Sequence, residues 1–374
     1  MANNHHFLSA LAVCAVGTAI VTGVLAYPDG DKGAGLASAV APPKAALIEE
    51  EPKVESPKLA LGAVEGSKVE GDSIALFFVG DMMFDRTVKT RTQKAKNADY
   101  PFLKIGNLKD NALGTFDLVV GNLEGSISSR RAPIKSIDFA FGTEIVPVLK
   151  KAGFAAVSQA NNHALDQGRQ GAQDSRAVLE KAGLKVFGDQ VRDDPSSALA
   201  FIDVKGKKIA LIGFNISDNP LDKEDALNAL ALARDTADYI VVMPHWGQEY
   251  KEKPDATQTG LAHWLIENGA DAVVGSHPHW MESVEVYRGK PIVYSLGNFI
   301  FDQDWSRETG LGLALGLKIA DKNIQLDLYP IKITTSQPQF LSGSEKTARL
   351  ERLASISAPS LSEQLSSGRL EFAR

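Results

Sequence analysis

The sequence predicts an α/β fold with a polar site at its strand ends, on three observations. Short, almost wholly apolar runs of strand character recur from residue 73 to about residue 335. Between several of them lie segments whose apolar residues repeat at helical spacing, the alternation expected of sheets covered by helices. Where the runs stop, histidines, carboxylates and asparagines take over, and ligands in open α/β sheets gather outside such ends.

The first run, Ser73-Ile74-Ala75-Leu76-Phe77-Phe78-Val79, ends in Gly80-Asp81. Phe116-Asp117-Leu118-Val119-Val120 ends in Gly121-Asn122-Leu123-Glu124, and Ala155-Ala156-Val157-Ser158 leads into Ala160-Asn161-Asn162-His163. Lys208-Ile209-Ala210-Leu211-Ile212 closes on Gly213-Phe214-Asn215, and Tyr239-Ile240-Val241-Val242-Met243 on Pro244-His245-Trp246-Gly247. Ala270-Asp271-Ala272-Val273-Val274 is followed by Gly275-Ser276-His277-Pro278-His279, and Pro291-Ile292-Val293-Tyr294-Ser295 by Leu296-Gly297-Asn298-Phe299. Helices are expected over residues 144–152, 170–182, 223–236 and 256–268, and antiparallel strands over 311–319 and 324–333. Residues 336–374 read as a polar, Ser-rich and loose C-terminal tail with one helical stretch, 345–356.

With 374 residues, 44% apolar and 23% charged, the composition is that of a globular enzyme of one large or two small domains. A net charge of −6 without a dense basic patch argues against a nucleic-acid partner. Residues 7–26 are nearly uninterrupted in apolarity and read as a signal peptide or a membrane anchor. Either role exports the remainder to the cell envelope, as a membrane-anchored, periplasmic or extracellular protein. Residues 27–72, rich in Gly, Ala, Pro, Lys and Glu, read as a flexible linker. The single cysteine, Cys14, lies in the apolar segment, so the folded part has no disulfide.

Histidine usage sharpens the site. Of seven, His5 and His6 precede the apolar segment, and four of the rest stand at strand ends. His263, inside an ordinary helical pattern, reads as structural. Two imidazoles flanking Pro278 directly after a buried strand are poorly explained by packing, because proline fixes one backbone angle and sets their relative orientation. Such a pair can serve one metal ion or one ion each of a close pair. A two-metal site needs a carboxylate able to bridge, with N and O donors on either side. Glu124 is suited to bridge, Asp81 and His279 to serve one ion, and Asn162, His245 and His277 the other. His163, oriented by Asp166 three residues on, is suited to protonate a leaving group. Mixed N and O donors favour Mn, Fe or Zn over Ca. Arg86, Trp280, Asp302, Asp304 and Trp305 are candidate cleft residues.

Six motifs in this order, Gly80-Asp81-Met82-Met83, Asn122-Leu123-Glu124, Ala160-Asn161-Asn162-His163, His245-Trp246-Gly247-Gln248-Glu249, Gly275-Ser276-His277-Pro278-His279 and Ser295-Leu296-Gly297-Asn298-Phe299, carry a resemblance. Over residues 73–335 the chain resembles bacterial capsule synthesis proteins of the CapA type, linked to poly-γ-glutamate, a family similar to calcineurin-like metallophosphoesterases. The resemblance implies a calcineurin-like metallophosphoesterase sandwich of two mixed β-sheets flanked by helices. It also implies Asp81, Glu124, Asn162, His245, His277 and His279 as metal ligands, and His163 with Asp166 as the catalytic pair. Phosphoesterases carry Asp-x-His in the first motif, whereas Met83 occupies the histidine's place here. One metal position therefore lacks a ligand, for which Asp85 is a candidate substitute.

The resulting expectation is an exported capsule synthesis protein acting on an anionic polymer through a site with divalent metals. Its partners would be that polymer or a phosphate-bearing substrate, together with membrane-bound capsule synthesis or export proteins. The alternatives are a metal-dependent phosphoesterase for a nucleotide, lipid or cell-wall phosphate, and a polymer-binding module without turnover.

Overall fold

In the first strand, β1 (Ile74–Met82), side chains alternate between two cores. Ile74, Leu76 and Phe78 join one apolar cluster, and Phe77 and Val79 another. A computed structural model describes residues 73–373 except 112, 129, 130, 189–194 and 321. The apolar segment 7–26 and the linker 27–72 lie outside the described residues, among which no helix is long and apolar enough to cross a membrane.

After β1 come α1 (Arg86–Ala95), β2 (Leu118–Leu123), α2 (Ile145–Lys151), β3 (Ala156–Ser158), α3 (Gly168–Lys181) and β4 (Lys185–Phe187). Then follow β5 (Leu199–Val204), β6 (Lys207–Asn215), α4 (Lys223–Thr236), β7 (Tyr239–His245), α5 (Ala256–Glu267), β8 (Ala272–Val274), β9 (Val284–Tyr287) and β10 (Lys290–Val293). The chain continues through β11 (Asn298–Ile300), β12 (Leu311–Ile319), β13 (Asn323–Thr334), β14 (Gln337–Phe340), α6 (Gly343–Ile356), α7 (Ser362–Ser367) and β15 (Arg369–Ala373).

Among the described residues the first sheet has the order β14-β13-β12-β1-β2-β3-β4, with β11 beside β1 and β15 beside β13. Its β1-β2-β3-β4 half is parallel, and β12, β13 and β14 are antiparallel. The second sheet runs β9-β10-β8-β7-β6-β5, parallel through its middle and antiparallel at both edges.

The sheets pack face to face: Leu76 and Phe78 share a core with Leu211, Val241, Met243 and Val274. On the outer face of the first sheet, Phe77 and Val119 pack with Val88 of α1, Leu149 of α2 and Leu179 of α3. On the outer face of the second, Ile212 and Val242 pack with Leu230 of α4 and Leu265 of α5. This is a two-sheet sandwich flanked by helices, its central strands β1, β2 and β7 buried on both faces as their continuous apolar runs require.

The expected helices fall within two residues of those observed, whereas α1 was not foreseen because it buries only Val88. The C-terminal expectation needs correction. The described part of the 336–374 segment, residues 336–373, is not a loose tail: β14 and β15 both pair with β13, and α6 and α7 pack against the sheet. Leu350, Leu353 and Ala354 stand at helical spacing, and with Leu365 and Leu370 they are buried in the inter-sheet core. Five buried apolar side chains suffice to anchor the segment despite its serines.

Candidate metal centre

Strand ends of both sheets meet at one place, and two glycines let them approach. A Cβ on Gly80 would lie 1.9 Å from the Gly297 carbonyl oxygen, and one on Gly275 1.9 Å from that of Tyr294. Between Val79 and Asp81 the pairing with β2 shifts register, a bulge that re-aims the next side chain. Asp81 thereby becomes a fully buried carboxylate. His277 and His279 hold φ values of 99° and 59°, left-handed backbone that is costly outside glycine and that clusters at functional sites.

The structure gathers the predicted ligands in two groups. Asp81, Glu124 and His279 offer donor atoms that all lie within 4.8 Å of one another. His279 Nδ1 stands 3.5 Å from Asp81 Oδ2, and its Nε2 stands 3.9 Å from Glu124 Oε1. In the second group His245 Nε2 lies 3.0 Å from Asn162 Oδ1 and 3.1 Å from His277 Nδ1. The two are tied together by the His277 backbone N–H, which donates to Asp81 Oδ2 over 3.3 Å.

Electrostatics suits cation binding. Glu124 is fully buried, and neither carboxylate oxygen has a hydrogen-bond partner. Burial holds its pKa well above the ordinary value, and the Asp81 charge adds to this. Burial pushes His245 well below its usual range and His277 down to about 4, each helped by neighbouring imidazoles. Neutral rings at neutral pH keep lone pairs available for a metal, so donor chemistry and orphaned carboxylate both fit a divalent ion.

His163 lies beside this centre in a cleft of about 460 Å³ shared with Arg86, Lys135, Asn162, Glu249 and Tyr250. Its Nδ1 is 2.6 Å from Asp166 Oδ2, and its ring stacks on Phe139 at 4.0 Å between centroids. Asp166 is held in turn by the Phe139 N–H at 2.8 Å.

Other expectations are revised. Asp85 does not replace the ligand missing at Met83: its Oδ2 accepts from Arg131 Nη1 at 2.9 Å and from the Ala140 N–H at 3.0 Å. Of the candidate cleft residues, Arg86 lines the cleft, and Asp302 holds its guanidinium. Trp305 packs edge-on against Tyr250, while Asp304 pairs with Arg91 and lines a separate groove. His263 is structural as expected, with Nε2 2.9 Å from Glu285 and its ring stacked on Tyr287.

Sequence reasoning missed three partners of the ligands. Asn122 Nδ2 donates to Asp81 Oδ1 at 2.8 Å and stands 3.3 Å from His245 Nδ1. Asn298 Oδ1 lies 3.0 Å from His279 Nδ1, and Ser276 Oγ 2.9 Å from His245 Nδ1. Each fixes which ring nitrogen faces the centre. Asn122 and Ser276 stand at the same strand ends as ligands, and Asn298 opens β11 beside β1, so position at a strand end is the signal that marks them.

The family model described as bacterial capsule synthesis protein PGA_cap matches residues 75–303. The PGA biosynthesis protein CapA of Bacillus subtilis (strain 168) is 35% identical over 297 residues, covering 74% of this chain and 77% of that protein. The capsule biosynthesis protein CapA of Bacillus anthracis is 30% identical over 308 residues, covering 76% of this chain and 73% of that one. A solved structure titled as a novel phosphatase of Mycoplasma pneumoniae covers 72% of this chain and 92% of its own. At 14% identity and a TM-score of 0.40, that superposition is too loose to assign a role. The family match runs through every strand end that contributes a side chain to the centre, from Asp81 to Asn298, and the chain belongs to the bacterial capsule synthesis protein family PGA_cap.

Proposed function

We propose that this chain supports the synthesis or export of an anionic capsule-type polymer, such as poly-γ-glutamate, through a metal-dependent site of phosphoesterase type in the cell envelope. Glu124 carries the reading. A fully buried carboxylate without a single donor, beside Asp81 and His279, is stable only with a cation or a proton among them. Asp81, Glu124 and His279 would hold one divalent ion, and Asn162, His245 and His277 a second. Mn, Fe or Zn suits these donors. Bound there, such an ion supplies Lewis-acid stabilisation of charge developing on a phosphoryl oxygen.

The chain's own residues supply the rest. Asp166 Oδ2 accepts a hydrogen bond from His163 Nδ1–H, which leaves Nε2 to exchange a proton with a leaving group. The stack on Phe139 keeps that ring in one orientation. Arg86 and Lys135 set positive charge on the cleft wall, where an anionic substrate enters. Membrane-bound capsule synthesis or export proteins are the partners this placement calls for.

Met83 favours a second reading, a site that binds polymer without turnover. It is buried where phosphoesterases carry a histidine, and its Sδ accepts the Asp85 N–H at 3.0 Å. Metal analysis of the purified protein and of His277→Ala, with p-nitrophenyl phosphate and bis-p-nitrophenyl phosphate assays in Mn, Zn and Mg, separates the two. About two metals per chain, with metal and hydrolysis both lost in the variant, supports the hydrolase. Bound metal without hydrolysis supports the second reading, and absence of metal overturns both.

A further inference from the structure

A second groove of about 960 Å³ lies apart from the metal centre. Its walls are α6, the loop after β11 and the end of β13. Nearly all of this lies beyond residue 303, where the family match stops. Its charges are unevenly satisfied. Asp304 is paired with Arg91, Glu345 with Lys332, and Glu252 with Arg352. Arg307 and Arg349, on facing walls, have neither a hydrogen bond nor an ion pair among the described residues, and Glu308 is the one lining acid left unpaired.

Arg349 is half-buried, and burial lowers its pKa from the ordinary value, with Arg307 and then Arg352 contributing against the partial relief from Glu308 and Glu252. Three guanidinium groups crowded together against two carboxylates, one of them already paired with Arg352, leave an excess of positive charge that a bound anion relieves. A smaller cavity shares Glu252, Glu308, Arg349 and Arg352 and extends to Trp280, the residue after His279. Trp280 meets the edge of Tyr250, which lines the cleft beside His163. Through Trp280 and Tyr250 the groove thus has neighbours in common with the cleft beside His163.

We propose that this groove is a binding site for an extended carboxylate-bearing chain, with Arg307 and Arg349 as its anion contacts. The nature of the chain rests on the function proposed above, whereas the site does not depend on turnover. The guanidinium fork matches a carboxylate in two parallel hydrogen bonds, and a groove of about 960 Å³ has room for successive anionic groups of a polymer rather than for a single small ion.

The test is calorimetric titration of the full-length protein with short poly-γ-glutamate oligomers, and separately with inorganic phosphate and polyphosphate. Arg307→Ser/Arg349→Ser should weaken oligomer binding by about tenfold or more, since each lost charged hydrogen bond is of that order. Arg349→Lys, which keeps the charge and loses the fork, should fall between. Arg288→Ser removes a surface charge in the turn between β9 and β10, paired with Glu267 at the end of α5, and should bind like the parent. Unchanged affinity in the double variant, or an equal loss in Arg288→Ser, overturns the proposal, as does tighter binding of polyphosphate than of polyglutamate. If the double variant fails to fold, the ranking of parent, Arg349→Lys and Arg288→Ser decides. Failure of the catalytic reading would appear instead as no phosphate ester hydrolysis by the parent, leaving oligomer binding intact.

Discussion

Replacing Glu124 with glutamine should reverse the order of stability of parent and variant when metal is added. Glu124 is wholly buried with no donor to either oxygen, and both burial and Asp81 disfavour its charge. Glutamine has nearly the same shape and cannot ionise. In chelator the variant should therefore melt at or above the parent. With a divalent ion at about a hundred times its dissociation constant, the parent gains ~2.7 kcal/mol. In a domain of this size each kcal/mol moves the melting midpoint by roughly 2–4 °C, so the parent should rise by about 5–10 °C. Glu124→Gln has lost the anionic donor placed among Asp81 and His279 and should rise by far less. Differential scanning calorimetry in EDTA and then in Mn²⁺ reads both halves. A variant that keeps the full metal-induced rise, or that melts well below the parent in EDTA, refutes the reasoning that Glu124 is poised for a cation.

Gly275→Ala should destabilise the protein by roughly 2–3 kcal/mol, because its Cβ would sit 1.9 Å from a backbone oxygen; urea unfolding midpoints measure it. Asp166→Asn should lower any phosphate ester turnover by roughly 10²- to 10⁴-fold through the wrong His163 tautomer, with metal content unchanged by elemental analysis. Glu282, whose Oε2 accepts from Gln258 at 2.8 Å, has its pKa pushed up to about 8 by burial. Between its ordinary value of 4.5 and about 8 the native state holds a proton that the unfolded chain has released. Stability should therefore fall as pH rises through that window, by about 1.4 kcal/mol per unit from this group. Urea midpoints at several pH values should show that component of the slope vanish in Glu282→Gln.

Much of the sandwich was legible because its central strands are buried on both faces and read as unbroken apolar runs. The ligand positions were legible for a related reason: a buried strand leaves little room for polar side chains except at its end. Composition misled where burial is sparse. α1 buries a single valine, and the C-terminal segment hides its leucines at helical spacing among serines and charges. The fate of Asp85 was also beyond the sequence, because its partner Arg131 is 46 residues away in the chain. The orienting roles of Asn122 and Asn298 were not legible because they rest on contacts between segments, to Asp81 41 residues away and to His279, which follows a strand of the other sheet.

The donor groups come from two separately built halves of the molecule. Asp81, Glu124 and Asn162 follow strands of the first sheet, and His245, His277 and His279 follow strands of the second. Neither half holds a complete donor set. An ion bridging them would act as a clasp across the seam between the sheets, and its affinity would report how well that seam is closed. Substitutions deep in the inter-sheet core, far from any ligand, should accordingly loosen ion binding as well as stability, making metal affinity a sensitive gauge of sheet docking.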